Sequence, residues 1–346
     1  MSYRLAVVGA TGNVGRVLLD ILSERDFPVE KLHALGSERS VGKSVSFGEK
    51  ETVPLEFLDT FDFSQIDLVF FCASDALAQK HIPHIQGTSK AYIIDKSSAF
   101  RMDPHVPLMV PEINAGTLSW AAKKRLIANP NCVVVPLALS LQTLAQGNSL
   151  KKVVVSTYQS VSGAGKEAMD ELYLQTKATY VAEALTPEVF SKPIAFNVIP
   201  QIDRIEHDGF TGEEHKIMSE LKKIIHPSLQ VTPTCVRVPV FNGHAASVHA
   251  TFEKPLPLSA ARERFSAEKS IQLYDSASKE LYATPLDIAG EDAVYISRLR
   301  QDPKTPTELT FWLTCDNLRK GAALNAVQIA ELLVRHKLLE KSLKPD

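Results

Sequence analysis

Cysteine, net charge and long apolar runs are all scarce in this chain of 346 residues, and each absence excludes something. The four cysteines, Cys72, Cys132, Cys235 and Cys315, lie far apart and form no Cys-x-x-Cys pair. A disulfide-stapled secreted scaffold is therefore excluded, and no metal site is expected. The pattern fits a reducing compartment, where a thiol is either packing or a reactive group. Formal net charge is only −2, so nothing draws the surface broadly to nucleic acid or to an anionic membrane. An anionic ligand must be held by local groups. No apolar stretch approaches the ~18 residues of a membrane span. The opening MSYRLAVVGA runs straight into a glycine-rich turn, which reads as a strand and not as a signal peptide. Repeats and low-complexity tracts are absent. A cytoplasmic protein is expected.

What is present is ordinary globular material, 45% hydrophobic and 23% charged, in a chain long enough for two domains. In the first third, Leu5–Val8, Leu32–Leu35, Leu68–Phe71 and Tyr92–Ile94 read as buried strands, with Arg125–Ala128 as a further one. Apolar positions 14, 17, 18, 21 and 22 make a helical stripe between the first two. Strand–helix alternation predicts an α/β fold with a parallel sheet. Beyond about residue 131 the texture changes. Helices are predicted over Val133–Leu144, Gly165–Tyr180 and Ala322–Lys337, and strands over Lys151–Gln159, Thr232–Phe241, Ala245–Phe252 and Glu308–Thr314. Asn242-Gly243 predicts a tight hairpin between the second and third of these strands. This half reads as α+β with a mostly antiparallel sheet.

Four stretches carry candidate chemistry. Gly9-Ala10-Thr11-Gly12-Asn13-Val14-Gly15 joins the first strand to the first helix, where glycines let backbone N–H groups approach a pyrophosphate. A plain strand–helix turn is the alternative. After the second strand comes Ser37-Glu38-Arg39-Ser40; a guanidinium and a hydroxyl suit a 2′-phosphate, so NADP is favoured over NAD. A solvated surface loop is the alternative there. Cys132 precedes an apolar helix, whose N-terminus favours thiolate, although a cysteine so placed is more often packing. A second small-residue loop runs from Thr157 to Gly165 at another strand–helix junction.

Further along, Thr211 and Glu214 have capping-box spacing, and Glu213 and Lys216 share a helix face. The latter two form either a surface pair or two ends of a polar site. If Asn242-Gly243 turns a hairpin, His244 lies opposite Phe241 and on the same face as Arg237. A histidine near a thiol suits general base catalysis, and one satisfied at a strand edge is the alternative.

Read together, GATGNVG, SERSVGK, DKSSAFRM, NPNC, TYQSVSGAGK, NVIPQID, TGEEHK, RVPVFNGH and DNLRKGAALNAVQIAE resemble the bacterial aspartate-semialdehyde dehydrogenases over nearly the whole chain. The resemblance implies a Rossmann-type NADP-binding domain over 1–130, completed by a C-terminal helix within 316–346. It also implies a catalytic and dimerisation domain over 131–315, and a homodimer. The implied reaction interconverts aspartate 4-semialdehyde, phosphate and NADP⁺ with 4-aspartyl phosphate and NADPH, on the route to lysine, methionine, threonine and diaminopimelate.

The implied roles follow residue by residue. Cys132 is the nucleophile that forms a thioester, and His244 is the acid/base. Arg101 and Lys216 hold phosphate, with help from Asn131. Arg237 clamps the substrate carboxylate, Gln159 positions the substrate, and Glu213 meets the amino group. Gly9, Thr11, Gly12, Asn13, Val14, Arg39, Ser40, Ser162, Gly163 and Asn317 contact the cofactor. One departure is that Val133-Val134-Val135 follow the cysteine, where relatives often have hydroxyl residues. An N-acetyl-glutamyl-phosphate reductase shares the covalent logic, but its substrate has no ammonium for Glu213 to meet. A dinucleotide-binding paralogue without turnover is the reading from another class.

Overall fold

The computed structural model describes residues 2–49, 51–276 and 281–339. The chain falls into two compact units, Met1–Asn131 with Ala322–Asp346, and Cys132–Gly321. Of the predicted C-terminal segment 316–346, residues 340–346 lie outside the described residues.

The first unit contains β1 (Tyr3–Val8), β2 (Val29–Gly36), β3 (Ser44–Phe47), β4 (Glu51–Phe57), β5 (Leu68–Phe71), β6 (Tyr92–Asp95) and β7 (Leu126–Ala128). They form one sheet in the order β3-β4-β2-β1-β5-β6-β7, parallel throughout except for the β3–β4 pair. β5, β6 and β7 are buried along their whole lengths, as parallel strands covered on both faces must be. The antiparallel pair β3–β4 was not predicted. Its residues are polar, and Pro54 argues against a strand, yet the sheet accommodates that proline opposite Ser44.

Chain order reverses at β1, which lies between β2 and β5, and the glycine loop leaves β1 at this switch point. Gly9 has φ +78°, and a Cβ there would lie 2.4 Å from the Cys72 carbonyl oxygen. A Cβ on Gly15 would lie 2.3 Å from the Gly9 oxygen. The loop therefore closes onto its own helix, Asn13–Glu24, only because both positions lack side chains. Gly15→Ala is expected to lower stability by about 1–3 kcal/mol, the usual cost of overpacking, and to weaken dinucleotide binding. Thermal melts with and without the dinucleotide would check both.

The helix Leu324–Arg335 belongs to the core of this unit, where Leu324, Val327, Ile329, Ala330 and Leu333 pack with Leu5, Leu18 and Leu22. Arg25 holds it from the side through Glu331, with contacts of 2.7 and 2.9 Å.

The second unit contains β8 (Leu150–Gln159), β9 (Gln230–Arg237), β10 (His244–Phe252), β11 (Ile271–Leu273), β12 (Val294–Arg300) and β13 (Glu308–Cys315). Their order is β11-β12-β13-β10-β8-β9. Pairings β12–β13, β13–β10 and β10–β8 are antiparallel, while β8–β9 and β11–β12 are parallel.

The predicted hairpin at Asn242-Gly243 does not exist. β8 lies between β9 and β10, and β9 stops at Arg237 rather than Phe241. Pro239 has no N–H to continue a ladder. Residues 238–241 bond instead to the end of β8 and the loop after it: Val238 N–H to Gln159, Val161 N–H to Val240 and Ser162 N–H to Phe241. The Asn-Gly signal marks a real turn, with Gly243 at φ +87°, but it turns a crossover. His244 therefore lies opposite Cys315, not Phe241. No helix among the described residues is long and apolar enough to cross a membrane.

Candidate active site

The second unit gathers its reactive groups at one end of its sheet. Cys132 is half-buried, two residues before the helix Val134–Leu144, whose first turn includes Pro136 and has no side-chain cap. His244 opens β10, buried, with Nε2 3.3 Å from Cys132 Sγ. The other cysteines lack this setting. Burial pushes the Cys235 and Cys315 thiols far up from their ordinary range, and lifts Cys72 to about 12. A thiol held in its neutral form is a poor nucleophile.

Behind the histidine lies the loop that follows β8. Ser160 donates its backbone N–H to His244 Nδ1 at 3.1 Å, and its hydroxyl lies 3.0 Å from the same nitrogen. Asn317 Oδ1 accepts from Ser160 Oγ at 3.1 Å and from Gly243 N–H at 2.9 Å. Ser162 and Gly163, predicted as cofactor contacts, belong to this loop. Ser162 bonds to Asn317, and a Cβ on Gly163 would stand 3.3 Å from both Arg237 Nη1 and His244 Cε1. Arg237 and His244 thus converge on one spot, although the hairpin that predicted their proximity is absent.

Arg237, at the end of β9, is buried and donates through Nη1 to the Ser160 carbonyl at 2.6 Å. Its guanidinium also lies 5.9 Å from the Phe190 ring centre. Burial lowers its pKa from the ordinary value, and the nearby Glu213 carboxylate opposes that shift. A guanidinium stays charged regardless. Glu213 is no surface group: it is buried and accepts from Gln159 Nε2 at 3.0 Å, and Gln159 Oε1 in turn accepts from Thr157 at 3.0 Å. Lys216 is partly exposed, 2.5 Å from Asp203 and 3.6 Å from Glu213. The capping box is present, with Glu214 N–H bonded to Thr211 Oγ1 at 3.3 Å and Thr211 N–H to Glu214 Oε2 at 2.7 Å.

The remaining predicted residues lie in the first unit. Gly9, Thr11, Gly12, Asn13 and Val14 form the loop and the uncapped start of helix Asn13–Glu24. Arg39 and Ser40 lie on the short turn after β2, Arg39 exposed to solvent. Arg101 is buried and tied to backbone, donating to Asn129 at 3.0 Å and Lys96 at 2.7 Å. Asn131 is buried at the end of the unit. Sequence reasoning missed Ser160 and Gly321. Ser160 stands in a loop that was singled out, but which hydroxyl of that loop faces the imidazole depends on the crossover of residues 238–243.

Residues 4–121 match the family model for the semialdehyde dehydrogenase NAD binding domain, and residues 141–320 the one for the semialdehyde dehydrogenase dimerisation domain. The aspartate-semialdehyde dehydrogenase of Rickettsia bellii is 48% identical over 96% of this chain and 98% of its own length. That of Aquifex aeolicus is 42% identical over 98% of this chain and 100% of its own. This chain belongs to the aspartate-semialdehyde dehydrogenase family. Among solved structures, aspartate-semialdehyde dehydrogenase II of Vibrio cholerae, crystallised with ASA, superposes with a TM-score of 0.93 at 40% identity, covering 97% of this chain and 99% of that one.

As an aspartate-semialdehyde dehydrogenase it is an oxidoreductase with a nicotinamide-dinucleotide domain, and two features of the second unit then become testable. Gly321 lies in a π-helical turn, Arg319–Ala323, and a Cβ on it would stand 2.7 Å from the Cys132 carbonyl oxygen and 3.2 Å from Cys132 Cβ. Gly321→Ala is expected to displace the thiol and slow turnover by about 10²-fold, the scale of a ~1 Å misplacement. Alkylation rates of Cys132, measured beside turnover, would check it.

His244 is held well below its ordinary pKa, first by burial and then by the Arg237 charge, with the Gly243 backbone opposing. Unfolded, it takes up a proton near pH 6.5 that the folded state refuses. Its contribution to stability is therefore complete above about pH 6.5 and is lost as pH falls below that value. Thermal melts from about pH 7 to 5 should show a steeper loss for the wild type than for His244→Asn.

Proposed function

We propose that this aspartate-semialdehyde dehydrogenase reversibly converts L-aspartate 4-semialdehyde, phosphate and NADP⁺ into L-4-aspartyl phosphate and NADPH through a thioester on Cys132. The observation that carries the reading is the half-buried thiol 3.3 Å from a buried imidazole. In this reading Cys132 adds to the aldehyde carbon and His244 is its acid/base partner. Arg237 takes the substrate carboxylate, Glu213 meets the ammonium, and Gln159 positions the chain between them. Arg101, Asn131 and Lys216 receive the phosphate that releases the acyl group. A carboxylate at Glu213 serves an ammonium-bearing substrate, and its burial against Gln159 supports that use.

The first unit is the dinucleotide domain in this proposal. Its loop fits that group because glycine at 9 and 15 lets the turn close tightly onto the start of helix Asn13–Glu24, and a helix N-terminus suits a pyrophosphate. When bound, the dinucleotide accepts or donates the hydride. Arg39 and Ser40, beyond β2, would receive a 2′-phosphate, which makes NADP the preferred form. Ser162, Gly163 and Asn317 are proposed as further contacts. The second unit is the catalytic and dimerisation domain of a cytoplasmic homodimer that serves lysine, threonine, methionine and diaminopimelate synthesis.

The test follows nicotinamide absorbance with aspartate semialdehyde and with N-acetyl-glutamate semialdehyde, each with NADP⁺ or NAD⁺, with and without phosphate. Phosphate-dependent reduction of NADP⁺ by aspartate semialdehyde is expected. Preference for the acetylated substrate would replace this reading with an N-acetyl-glutamyl-phosphate reductase, and no turnover at all would favour a dinucleotide-binding paralogue.

A further inference from the structure

Lys216 reaches out from the helix Gly212–Ile224 to a place between two carboxylates. Its Nζ lies 2.5 Å from Asp203 Oδ2 and 3.6 Å from Glu213 Oε2. The two acids differ in setting. Glu213 is buried and accepts from Gln159 Nε2 with its other oxygen, Oε1, whereas Asp203 is partly exposed. Three residues along the same helix, the ammonium is within reach of the buried carboxylate, yet it sits on the outer one.

Asp203 is held in place by contacts that do not involve the ion pair. Residues 204–211 form a short antiparallel turn against the helix start. Glu206 N–H donates to the Phe210 carbonyl at 2.7 Å, Gly212 N–H donates to the Arg204 carbonyl at 2.9 Å, and Ile205 pairs with Thr211. Asp203 itself has φ +65°, a left-handed conformation that Asp and Asn accept more readily than most residues. Its carbonyl accepts from Gln201 Nε2 at 3.2 Å. A Cβ on Gly212 would stand 3.0 Å from Asp203 Cβ, so glycine at the first helical position lets the carboxylate lie close against the helix. A pair this exposed adds little to stability. What it determines is where the ammonium sits.

We propose that Asp203 is a positioning residue that anchors Lys216 and thereby reserves the Glu213 carboxylate for the ammonium of the substrate. The inference rests on the reading above, in which Glu213 meets that ammonium and Lys216 the phosphate. The lysine and substrate ammonium groups are chemically alike and compete for Glu213 Oε2. Attachment to the same helix gives the lysine a high local concentration there. Asp203 offsets that advantage by giving the lysine a carboxylate of its own. Lys216 also stays partly exposed in this position, where an anion can reach it.

The test compares kcat/KM, at saturating phosphate and NADP⁺, for aspartate semialdehyde and for 4-oxobutanoate, the same aldehyde acid without the amino group. Asp203→Asn removes the charge and keeps a residue that suits the left-handed conformation. It is expected to lower kcat/KM for aspartate semialdehyde at least about fivefold, because the released lysine pairs with a buried carboxylate. The value for 4-oxobutanoate should stay within about twofold. Equal losses on both substrates would make Asp203 a structural residue only, and no loss on either would show that Lys216 stays off Glu213 unaided. Both results overturn the proposal. In a Lys216→Met chain, adding Asp203→Asn is expected to change kcat/KM for aspartate semialdehyde by less than about twofold; the full loss appearing there contradicts the anchoring role. Should Asp203→Asn fail to fold, Asp203→Gly, which the same φ admits, takes its place. Glu213→Gln tests the underlying reading separately, and is expected to erase the preference for aspartate semialdehyde over 4-oxobutanoate. A surviving preference would sink the assignment of Glu213. A vanished one beside a silent Asp203→Asn would sink the role of Asp203 alone.

Discussion

Cys132→Ala is expected to reduce phosphate-dependent NADP⁺ reduction by at least about 10⁴-fold, the usual consequence of deleting a covalent nucleophile. Affinity for the dinucleotide should stay near that of the wild type, because Cys132 is not among the residues proposed to contact it. No other cysteine can take over. Burial keeps the thiols of Cys72, Cys235 and Cys315 protonated, and His244 is 3.3 Å from Cys132. Steady-state assays paired with fluorescence titration of the dinucleotide would measure both effects. Turnover surviving in the alanine variant would refute the covalent route.

Arg237→Lys is the second large effect, with kcat/KM for the semialdehyde expected to fall by about 10²- to 10³-fold. That corresponds to about 3–4 kcal/mol, the scale of leaving a buried charge without its partner. The guanidinium already gives one N–H to the Ser160 carbonyl, and its planar fork has further donors for a carboxylate. An ammonium on a shorter, rounder head cannot serve the Ser160 carbonyl and both oxygens of a carboxylate together. Because Arg237 bonds to the loop residue that also bonds His244, alkylation of Cys132 should be followed alongside. Slowed alkylation would show that the loop has moved; unchanged kcat/KM would reassign the carboxylate contact.

Much of this architecture was legible because the parallel strands are fully buried and carry a pure apolar signal. LVFF at β5 and YIID at β6 are read without ambiguity. β3 and β4 were illegible for the opposite reason, since their polar residues and Pro54 look like a loop until β2 offers a neighbour. The crossover at residues 238–243 was misread because periodicity cannot say which strand pairs with which. Asn-Gly favours a turn locally, but the parallel pairing of β9 with β8 is a long-range choice. Cys132 was singled out by its place before an apolar helix and His244 by its strand placement beside Arg237, and only the structure supplies the distance between them. Ser160 was passed over because a hydroxyl in a small-residue loop carries no sign of which way it points. In the sequence Glu213 reads either as half of a surface pair or as one end of a polar site, and the fold buries it against Gln159.

The core that encloses β1 borrows Leu324, Val327, Ile329, Ala330 and Leu333 from the far end of the chain. A ribosome delivers β1 first and that helix nearly last, so the emerging chain holds an unfinished hydrophobic layer throughout synthesis. Cys132–Gly321, emitted as one uninterrupted stretch, is free to fold beforehand. Truncating the message before codon 324 should therefore leave a nascent product that demands chaperone protection and is degraded quickly, even though every strand of both sheets has been translated.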